Sequence, residues 1–472
     1  MKRPIAEGLS NYRKQNPLRM HMPGHKGQTS GSLDWGQVYA YDVTEVEGTD
    51  NLMAPEGMIK ESLEQMAAYY GTESTFISVN GSTGGLIGAI LAATKPGDRV
   101  IMPRDSHRSI YNALILGDLE PIYLEPVLDG ETGIALGWET EKLADYLEQY
   151  RPAAVILGYP NYYGICTDIR VISEISHQYD AAVIVDEAHG AHLPFSEHLP
   201  NSAIHMGADI VVQSTHKMLA GMTQTALVHL CSARISPEKL NHFLFLTQTT
   251  SPSYIFMASI ENAFVEGVEE GRQGVAQQLK AKAQFKEKLS QLQGISLYDK
   301  AYFKGKGAWD FDESKVILSA VERGYTGYQL QSYLEAQNIQ VEMADSHQIV
   351  ALTTYKDKAQ AFEKIYKALK CIPYNQEKSQ GIITESMAYK PAERVYSMKT
   401  SNYKDFEWTD LEGAAGKVSK TFIIPYPPGY PFICPGEKLN QEHIQQILKH
   451  LAAGQKIVGI KEGKVQTIIE SL

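Results

Sequence analysis

The stretch DIVVQSTHKM, from Asp209 to Met218, joins an apolar run to a polar segment that contains Lys217. A lysine ammonium at the end of a buried strand loses its hydration, and an unpaired buried charge is very costly. We therefore expect the Lys217 amine to be neutral or bonded to another group. A neutral lysine is a nucleophile toward aldehydes, and such a reaction would explain why a lysine occurs at this position.

The chain around this stretch alternates short apolar runs with helix-like segments, from about residue 74 to 230. The candidate strands are TFISV, RVIMP, PIYLEP, AAVILGYP, AAVIVDEAH, DIVVQSTH and ALVHL. Strands that are apolar on both faces and joined by helices predict an α/β fold with a mostly parallel seven-stranded sheet, flanked by helices. Ligands of such sheets bind at the carboxyl ends of the strands.

The rest of the chain predicts further units. A long helix is expected from about residue 255 to 295, and a second, smaller α/β pattern begins near residue 300. We divide the chain into an N-terminal segment (1–45), a large domain (46–300), a small α/β domain (301–375) and a C-terminal domain (376–472). We find no internal repeat.

Composition excludes several classes of protein. The chain has 472 residues, of which 43% are hydrophobic, and a net charge of −11 without a Lys/Arg-rich stretch, which argues against a nucleic-acid partner. Its apolar runs are too short to cross a membrane, and its start does not resemble a signal peptide. The four scattered cysteines suit a reducing compartment, so we expect a cytoplasmic protein.

The first polar strand end is NGSTGG, Asn80 to Gly85, which precedes a predicted helix. Free N–H groups at a helix start favour an anion. Gly81 would let the backbone approach this anion closely, and Ser82 and Thr83 would offer hydroxyl groups to it. This pattern predicts a phosphate site that is not a Walker A loop, because no Gly-Lys-Ser/Thr follows. The alternative is an ordinary glycine-rich turn.

Histidines and an acid follow other strands. His107, in RDSHRS, is placed to stack on a flat ring, although a surface histidine is the alternative. Asp186 begins a DEAH sequence, which also occurs in helicases. A helicase is rejected because that motif requires a Walker A loop, and the sequence contains none. His189 and His192 have no third ligand at a suitable spacing, so no metal site is expected.

Pyridoxal 5′-phosphate explains these strand ends together. Lys217 would bind the aldehyde, Asp186 would pair with the pyridinium nitrogen and His107 would cover the ring. Ser214 and His216 can donate to the phosphate along with the residues of NGSTGG. The alternative is a structural salt bridge between Asp186 and Lys217.

Several motifs along nearly the whole chain resemble those of a known family. They are HMPGHKG (21–27), TDNLMAPEG (49–57), VNGSTGG (79–85), PRDSHRS (103–109), YPNYYG (159–164), VDEAHGAH (185–192), STHK (214–217) and PYPPGYPFICPGE (425–437). The chain resembles the pyridoxal-phosphate-dependent ornithine/lysine/arginine decarboxylases of fold type I, in the short form typical of Gram-positive bacteria, without an N-terminal wing domain. One departure is Met53, where the family often has histidine.

The resemblance implies roles for the site residues. Lys217, Asp186, His107 and His189 would be catalytic, with His189 near the cofactor's phenolic oxygen. The phosphate would be surrounded by Gly81, Ser82, Thr83, Ser214 and His216. The resemblance also implies a homodimer or higher homo-oligomer with shared active sites. The segment that one subunit is expected to contribute to the active site of another is TQTTSPS (247–253).

The implied reaction is decarboxylation of a basic amino acid to a polyamine-type amine. Arginine and lysine stay equally favoured, with ornithine behind them, and Asp50, Glu437 and Glu342 are candidates to bind the distal charge. Each could instead be a solvated carboxylate. An aminotransferase is the alternative enzyme, in which Arg323 or Arg394 would hold the substrate carboxylate. A non-catalytic protein that binds the cofactor is a further alternative.

Overall fold

The computed structural model describes residues 17–20, 45, 50–375, 392–426, 429–452 and 454–469. The motif HMPGHKG and residues 427–428 of the C-terminal motif lie outside this part of the chain. No helix in the described ranges is long and apolar enough to cross a bilayer.

The helices and strands follow in chain order. The strands are β1 (Leu18–Met20), β2 (Ser74–Ser78), β3 (Arg99–Met102), β4 (Glu120–Tyr123), β5 (Val127–Leu128), β6 (Ala135–Gly137), β7 (Ala154–Gly158), β8 (Ile165–Cys166), β9 (Ala182–Asp186), β10 (Ile210–Ser214), β11 (Ala226–Leu230), β12 (Ser296–Tyr298), β13 (Asp310–Phe311), β14 (Lys315–Ser319), β15 (Ile339–Val341), β16 (Met343–Ala344), β17 (Gln348–Leu352), β18 (Phe406–Asp410), β19 (Ile424–Tyr426), β20 (Lys456–Val458), β21 (Ile460–Lys461) and β22 (Lys464–Ile468). The α-helices are α1 (Met58–Tyr70), α2 (Gly81–Ala93), α3 (Arg108–Gly117), α4 (Thr140–Tyr150), α5 (Ile169–His177), α6 (Thr215–Met218), α7 (Pro237–Leu246), α8 (Tyr254–Leu289), α9 (Lys300–Gly305), α10 (Gly327–Ala336), α11 (Ala359–Cys371), α12 (Met398–Tyr403) and α13 (Gln441–Ala452).

A seven-stranded sheet in the order β2-β11-β10-β9-β7-β3-β4 forms the centre of the large unit. All its strands run in one direction except β11, which pairs antiparallel with β10 and β2. The sheet therefore confirms the predicted α/β class. Buried apolar clusters cover both faces, as expected for strands such as AVIVD and IVVQS that are apolar along their length.

Helix α2 lies close against this sheet because a glycine, Gly85, faces it. A Cβ atom built at Gly85 would lie 2.8 Å from Cγ2 of Val228 and 3.0 Å from Cγ1 of Val212. A side chain there would push the helix away from β10 and β11. The helix also begins at Gly81, whose φ of +66° favours glycine.

A second sheet, in the order β12-β14-β17-β16, is antiparallel throughout. Helices α10 and α11 and the C-terminal part of α8 share its apolar core. The N-terminal strand β1 pairs in parallel with β15, so the start of the described chain packs on this unit. The predicted four-part division of the chain stays a prediction.

The C-terminal part contains the sheet β18-β22-β21, the pair β19-β20 and helix α13 around a separate apolar cluster. Phe422, Ile424 and Cys434 pack instead into the core of the large sheet. The segment after β19 is thereby held against the edge where β3 leads into α3.

Candidate active site

Two neighbouring strands bring Lys217 and Asp186 to the same edge of the sheet. Strand β9 ends at Asp186, and β10 pairs with it in parallel, with Val212 opposite Asp186. Strand β10 ends at Ser214, and the one-turn helix α6 then carries Lys217. The lysine thus lies one turn beyond the strand rather than at its last residue.

A single pocket is lined by side chains from these strand ends. Its lining includes Ser82, His107, Asp186, His189 and Lys217. The structure therefore brings together residues that lie between positions 82 and 217 of the chain. This is the arrangement that the carboxyl ends of parallel strands are expected to produce.

The Lys217 amine lies beside a neutral histidine. Its Nζ is 3.2 Å from Nε2 of His189. Burial lowers the pKa of Lys217, while the charges of Asp186 and Glu342 act in the opposite direction. Burial, followed by the positive charge of Lys217, also holds the pKa of His189 well below its usual range. The site thus favours an uncharged amine and an uncharged imidazole.

Asp186 acts on Lys217 by its charge and not by a direct bond. One of its oxygens, Oδ1, accepts a hydrogen bond from the amide of Ala188 at 3.1 Å. Among the described residues, the effect of Asp186 on Lys217 is coulombic without a hydrogen bond. The geometry therefore argues against the alternative of a structural Asp186–Lys217 salt bridge.

His107 is the N-cap of α3. Its Nδ1 accepts a hydrogen bond from the amide of Ser109 at 3.2 Å and lies 2.8 Å from the Ser109 hydroxyl. These contacts fix the ring at the pocket wall. Desolvation lowers the pKa of His107, and the charge of Asp186 opposes that change.

The predicted phosphate end is assembled in part. The Ser214 hydroxyl donates to the Ser82 hydroxyl at 2.9 Å, beside the first turn of α2, which begins at Gly81. His216 lies nearby, and its Nδ1 donates to the carbonyl of Thr225 at 3.1 Å. Thr83 is exposed and lies outside the described pocket wall, and its predicted contact with the phosphate stays a prediction.

These residues fit pyridoxal 5′-phosphate. The pocket offers a desolvated amine, a carboxylate on the adjacent strand, two imidazoles, and hydroxyl groups beside a helix start that favours anions. The buried Nδ1 of His189 has no hydrogen-bond partner within the described chain, as a polar group awaiting a ligand would. Lys217 and Asp186 would hold the cofactor's aldehyde and ring nitrogen.

Glu437 does not line the described pocket, so its predicted contact with the substrate stays a prediction that this geometry does not favour. Its carboxylate forms a buried two-point ion pair with Arg104, with Nη1–Oε1 and Nη2–Oε2 distances of 2.6 Å and 2.5 Å. The amide of Cys434 donates to the same carboxylate. Glu437 instead fixes the C-terminal segment to the loop that carries His107.

This ion pair predicts a large loss of stability in Glu437→Ala. Removing the carboxylate leaves the buried Arg104 charge uncompensated, which costs about 3–5 kcal/mol. Urea unfolding followed by circular dichroism measures the change. The control is Glu120→Ala, which removes a half-exposed carboxylate paired with Arg394 and Arg99 and should cost less than about 1 kcal/mol. Equal losses in the two variants would contradict this account.

The carboxylate of Asp50 is likewise occupied by contacts within its own chain, and its predicted role as a substrate ligand stays a prediction. Its carboxylate accepts hydrogen bonds from the amides of Asn51, Glu56, Gly57 and Ile59, at 2.8–2.9 Å. Although partial burial acts against it, these bonds lower the pKa of Asp50 to about 2. It closes the loop before α1 and does not line the pocket.

Glu342 is the acidic candidate that the structure brings toward the site. Its Oε1 accepts a hydrogen bond from the hydroxyl of Tyr162 at 3.2 Å, and its charge acts on Lys217. Tyr162 lines the pocket and contacts the His189 ring, with 4.6 Å between ring centroids. Tyr162, Trp138 and Tyr430 are wall residues to which the sequence assigned no role. Tyr162 was detectable in principle, because it follows the end of β7.

The two arginines considered for an aminotransferase lie elsewhere. Arg323 donates to the carbonyls of Gln293 and Ile372, and Arg394 pairs with Glu120. Neither lines the described pocket, whose wall contains no arginine among the residues that the structure describes.

The fold and this site define a pyridoxal-phosphate-dependent enzyme of fold type I. The models of the Orn/Lys/Arg decarboxylase major domain and C-terminal domain match residues 3–361 and 376–459. The chain belongs to the Orn/Lys/Arg decarboxylase family, whose members are pyridoxal-phosphate-dependent decarboxylases.

Relatives support this assignment over the full length. The chain is 31% identical to an arginine decarboxylase of Bacillus subtilis (strain 168), covering 98% of this chain and 97% of the relative. It is 23% identical to the constitutive lysine decarboxylase of Escherichia coli (strain K12), covering 93% and 76%. The solved structure of lysine decarboxylase A from Pseudomonas aeruginosa has a TM-score of 0.78 at 16% identity, covering 98% of this chain and 82% of that one, and shares the fold.

Proposed function

We propose that this chain decarboxylates a basic amino acid, with arginine as the first candidate, using pyridoxal 5′-phosphate. The observation that carries the proposal is the pocket at the carboxyl ends of β9 and β10. It joins Lys217, Asp186, His107 and His189, and no arginine of the described chain lines it. A site without such an arginine is suited to releasing the α-carboxylate rather than retaining it.

The chain's own residues have separate tasks in this proposal. When bound, pyridoxal phosphate supplies the electron sink for the carbanion that remains after carbon dioxide leaves. Asp186 would lie at the ring nitrogen, where a carboxylate group favours the protonated form of that nitrogen. Lys217 Nζ and His189 Nε2, 3.2 Å apart, hold the proton that returns to the α-carbon. His107 and Tyr162 both line the pocket that would receive the cofactor and the substrate.

Glu342 is our candidate for the distal charge of the substrate. It is half-buried, its carboxylate is oriented by Tyr162, and it acts electrostatically on Lys217. A carboxylate can accept two parallel hydrogen bonds from guanidinium, whereas an ammonium is met as a point charge. Arginine is placed first because the full-length relatives from Bacillus subtilis and Bacillus anthracis are named arginine decarboxylase.

Glu342→Gln is expected to lower kcat/KM for arginine roughly 10- to 100-fold. This corresponds to the loss of a charge-assisted hydrogen bond worth about 1.5–3 kcal/mol. The loss should lie mainly in KM and is measured by steady-state kinetics. Tyr162→Phe, which keeps the carboxylate, should lose less. An unchanged KM in Glu342→Gln would exclude Glu342 as the distal ligand.

The reaction itself is tested by incubating the purified holoenzyme with arginine, lysine and ornithine separately. We expect carbon dioxide and the corresponding amine, fastest with arginine. Release of a keto acid without carbon dioxide would contradict the decarboxylase assignment and favour the aminotransferase. Formation of an amine only from lysine or only from ornithine would change the assigned substrate, but the assigned reaction would still be a decarboxylation.

We also propose a cytoplasmic homodimer or higher homo-oligomer with shared sites, whose product is of the polyamine type. The segment Thr247–Ser253 remains the candidate for the contact between subunits. It begins beside the predicted phosphate end of the pocket in its own subunit, where the side-chain amide of Asn80 donates to the Thr247 carbonyl at 2.7 Å. Its following residues, Thr249 to Ser251, are exposed. Sedimentation equilibrium of the holoenzyme tests the assembly, and a monomer would contradict it.

A further inference from the structure

Glu187, which directly follows Asp186, is fully buried and does not line the pocket. Its Oε2 accepts hydrogen bonds from the hydroxyl of Ser202 at 2.8 Å and the side-chain amide of Gln213 at 2.6 Å. Its Oε1 accepts from the amide of Ala203 at 2.7 Å. The carboxylate therefore ties the residue after β9 to β10 and to the turn at residues 202–203.

The turn at residues 186–190 is held by the backbone of Glu187 and packs against its side chain. The Glu187 amide donates to the carbonyl of Val212, and the Gly190 amide donates to the carbonyl of Glu187, both at 2.9 Å. A Cβ atom built at Gly190 would lie 2.5 Å from Cγ of Glu187, so this glycine packs directly on the Glu187 side chain. The same turn carries Asp186 and His189 into the pocket. A shift of Glu187 would therefore move both of these groups.

A hydrogen-bonded chain continues from Glu187 away from the pocket. Oε1 of Gln213 is 3.2 Å from Nε2 of His229, and Nδ1 of His229 is 3.0 Å from the hydroxyl of Thr75. The Thr75 hydroxyl is 3.0 Å from that of Thr72, which is partly exposed. Gln213 and His229 are fully buried, so the chain leads from the Glu187 carboxylate through the interior toward the surface.

The hydrogen bonds of this series, from Glu187 to Thr75, can all be formed with the donors pointing in either direction. With Glu187 ionised, Gln213 donates to it, and its oxygen accepts from Nε2–H of His229, whose Nδ1 accepts from Thr75. With Glu187 protonated on Oε2, the carboxyl donates instead, the Gln213 amide turns over, and His229 carries its proton on Nδ1. Each group keeps a partner in both arrangements, as buried polar groups require.

The buried and uncharged surroundings of Glu187 favour exchange between its ionised and protonated arrangements. Burial raises the pKa of Glu187 to about 7, although Gln213, Ala203 and Ser202 oppose the rise. The charge of Glu187 acts in turn on four titratable side chains around it, those of Tyr70, Tyr159, Cys166 and Cys231. Burial raises the pKa of each of them, which keeps them neutral.

His229 completes the set of titratable groups around this chain. Burial, followed by the charge of His205, lowers the pKa of His229 to about 3. Its ring therefore stays neutral and passes on hydrogen bonds without taking up a charge. Within the described residues, the groups that face Glu187 supply no positive charge to hold its ionised form.

We propose that Glu187 is a positioning residue whose gain or loss of a proton, accommodated by reversal of the Gln213–His229–Thr75 chain, sets the position of the turn that carries Asp186 and His189. The kinetic consequence rests on the proposed function, because Asp186 and His189 act there. The protonation of Glu187 itself does not depend on which substrate the enzyme takes.

Glu187→Gln tests the proposal, because an amide of the same shape imitates the protonated carboxyl and cannot ionise. The pKa of Glu187 in the folded protein is above the ordinary value of 4.5, so its contribution to stability is lost as pH rises from about 4.5 through 7. The melting temperature of the variant relative to wild type should therefore rise between pH 5 and pH 8, on the order of 5 °C. The readout is this pH dependence and not the absolute melting temperature.

Two further measurements separate a positioning role from a merely structural one. Infrared difference spectra of the wild-type holoenzyme between pH 5.5 and 8.5 should show loss of a protonated carboxyl band that Glu187→Gln lacks. The wild-type kcat/KM profile should contain an ionisation near pH 7 that the variant lacks. Glu266→Gln, which changes a buried carboxylate paired with Lys356, is the control and should keep both features.

The outcomes are distinct. An identical infrared band and an identical pH dependence of melting in wild type and Glu187→Gln would overturn the proposal. Loss of the band with an unchanged kcat/KM profile would overturn the positioning role. If the proposed decarboxylation failed, the infrared and melting results would still report on Glu187, so the two failures are distinguishable.

Discussion

Lys217→Ala is expected to abolish the visible absorbance of the bound cofactor and to lower the decarboxylation rate by at least about 10³-fold. The variant loses both the amine that binds the aldehyde and a group that holds the proton beside His189. Ultraviolet–visible spectra after dialysis against pyridoxal phosphate measure the first effect. Carbon dioxide release from arginine measures the second.

The matched control for this variant is Lys315→Met. Lys315 is fully buried near the site, where its Nζ is 3.7 Å from a carboxylate oxygen of Asp312, but it does not line the pocket. Its replacement should retain the cofactor absorbance. Retention of the absorbance in Lys217→Ala and its loss in Lys315→Met would reverse the assignment of the cofactor lysine.

Asp186→Asn is expected to lower kcat by on the order of 10²–10³-fold while the fold is retained, because it removes a preorganised charge where charge develops. The amide keeps an oxygen that can accept the hydrogen bond from Ala188. The loss should therefore reflect charge rather than shape. Single-turnover kinetics with saturating cofactor measure it, so that weaker cofactor binding is not mistaken for slower chemistry.

Asp345→Asn provides the comparison for this second variant. Asp345 is a half-buried residue whose carboxylate accepts a hydrogen bond from Tyr163 and lies outside the pocket wall. Its substitution should leave kcat within a few-fold of wild type. Full activity in Asp186→Asn would contradict the role of Asp186 at the ring nitrogen.

The main sheet and the centre of the site could be predicted because their signals are local. Apolar runs marked the strands, and the residue following each run marked the carboxyl edge of the sheet. Asp186 and Lys217 were found in this way, from strands that proved to be neighbours. The same rule would have selected Tyr162, which follows β7, had it been applied to YPNYYG.

Glu437 and Asp50 make contacts that their sequence context did not indicate. Glu437 pairs with Arg104, which is 333 residues away, and this contact exists because the C-terminal segment packs against the large sheet. Asp50 carries the acidic side chain expected of a cation ligand, yet nearby backbone amides take up its oxygens. A carboxylate's partners, and not its type, decide whether it is free to bind a substrate.

We propose that Lys217, which lines the same pocket as Asp186, is the residue that holds the cofactor. Borohydride reduction of the holoenzyme, followed by proteolysis and mass spectrometry, tests it most directly. We predict the added mass of the reduced cofactor on the peptide that contains Lys217. The same mass on the peptide of Lys315 or of another lysine, or on no peptide of a visibly coloured enzyme, would contradict the account.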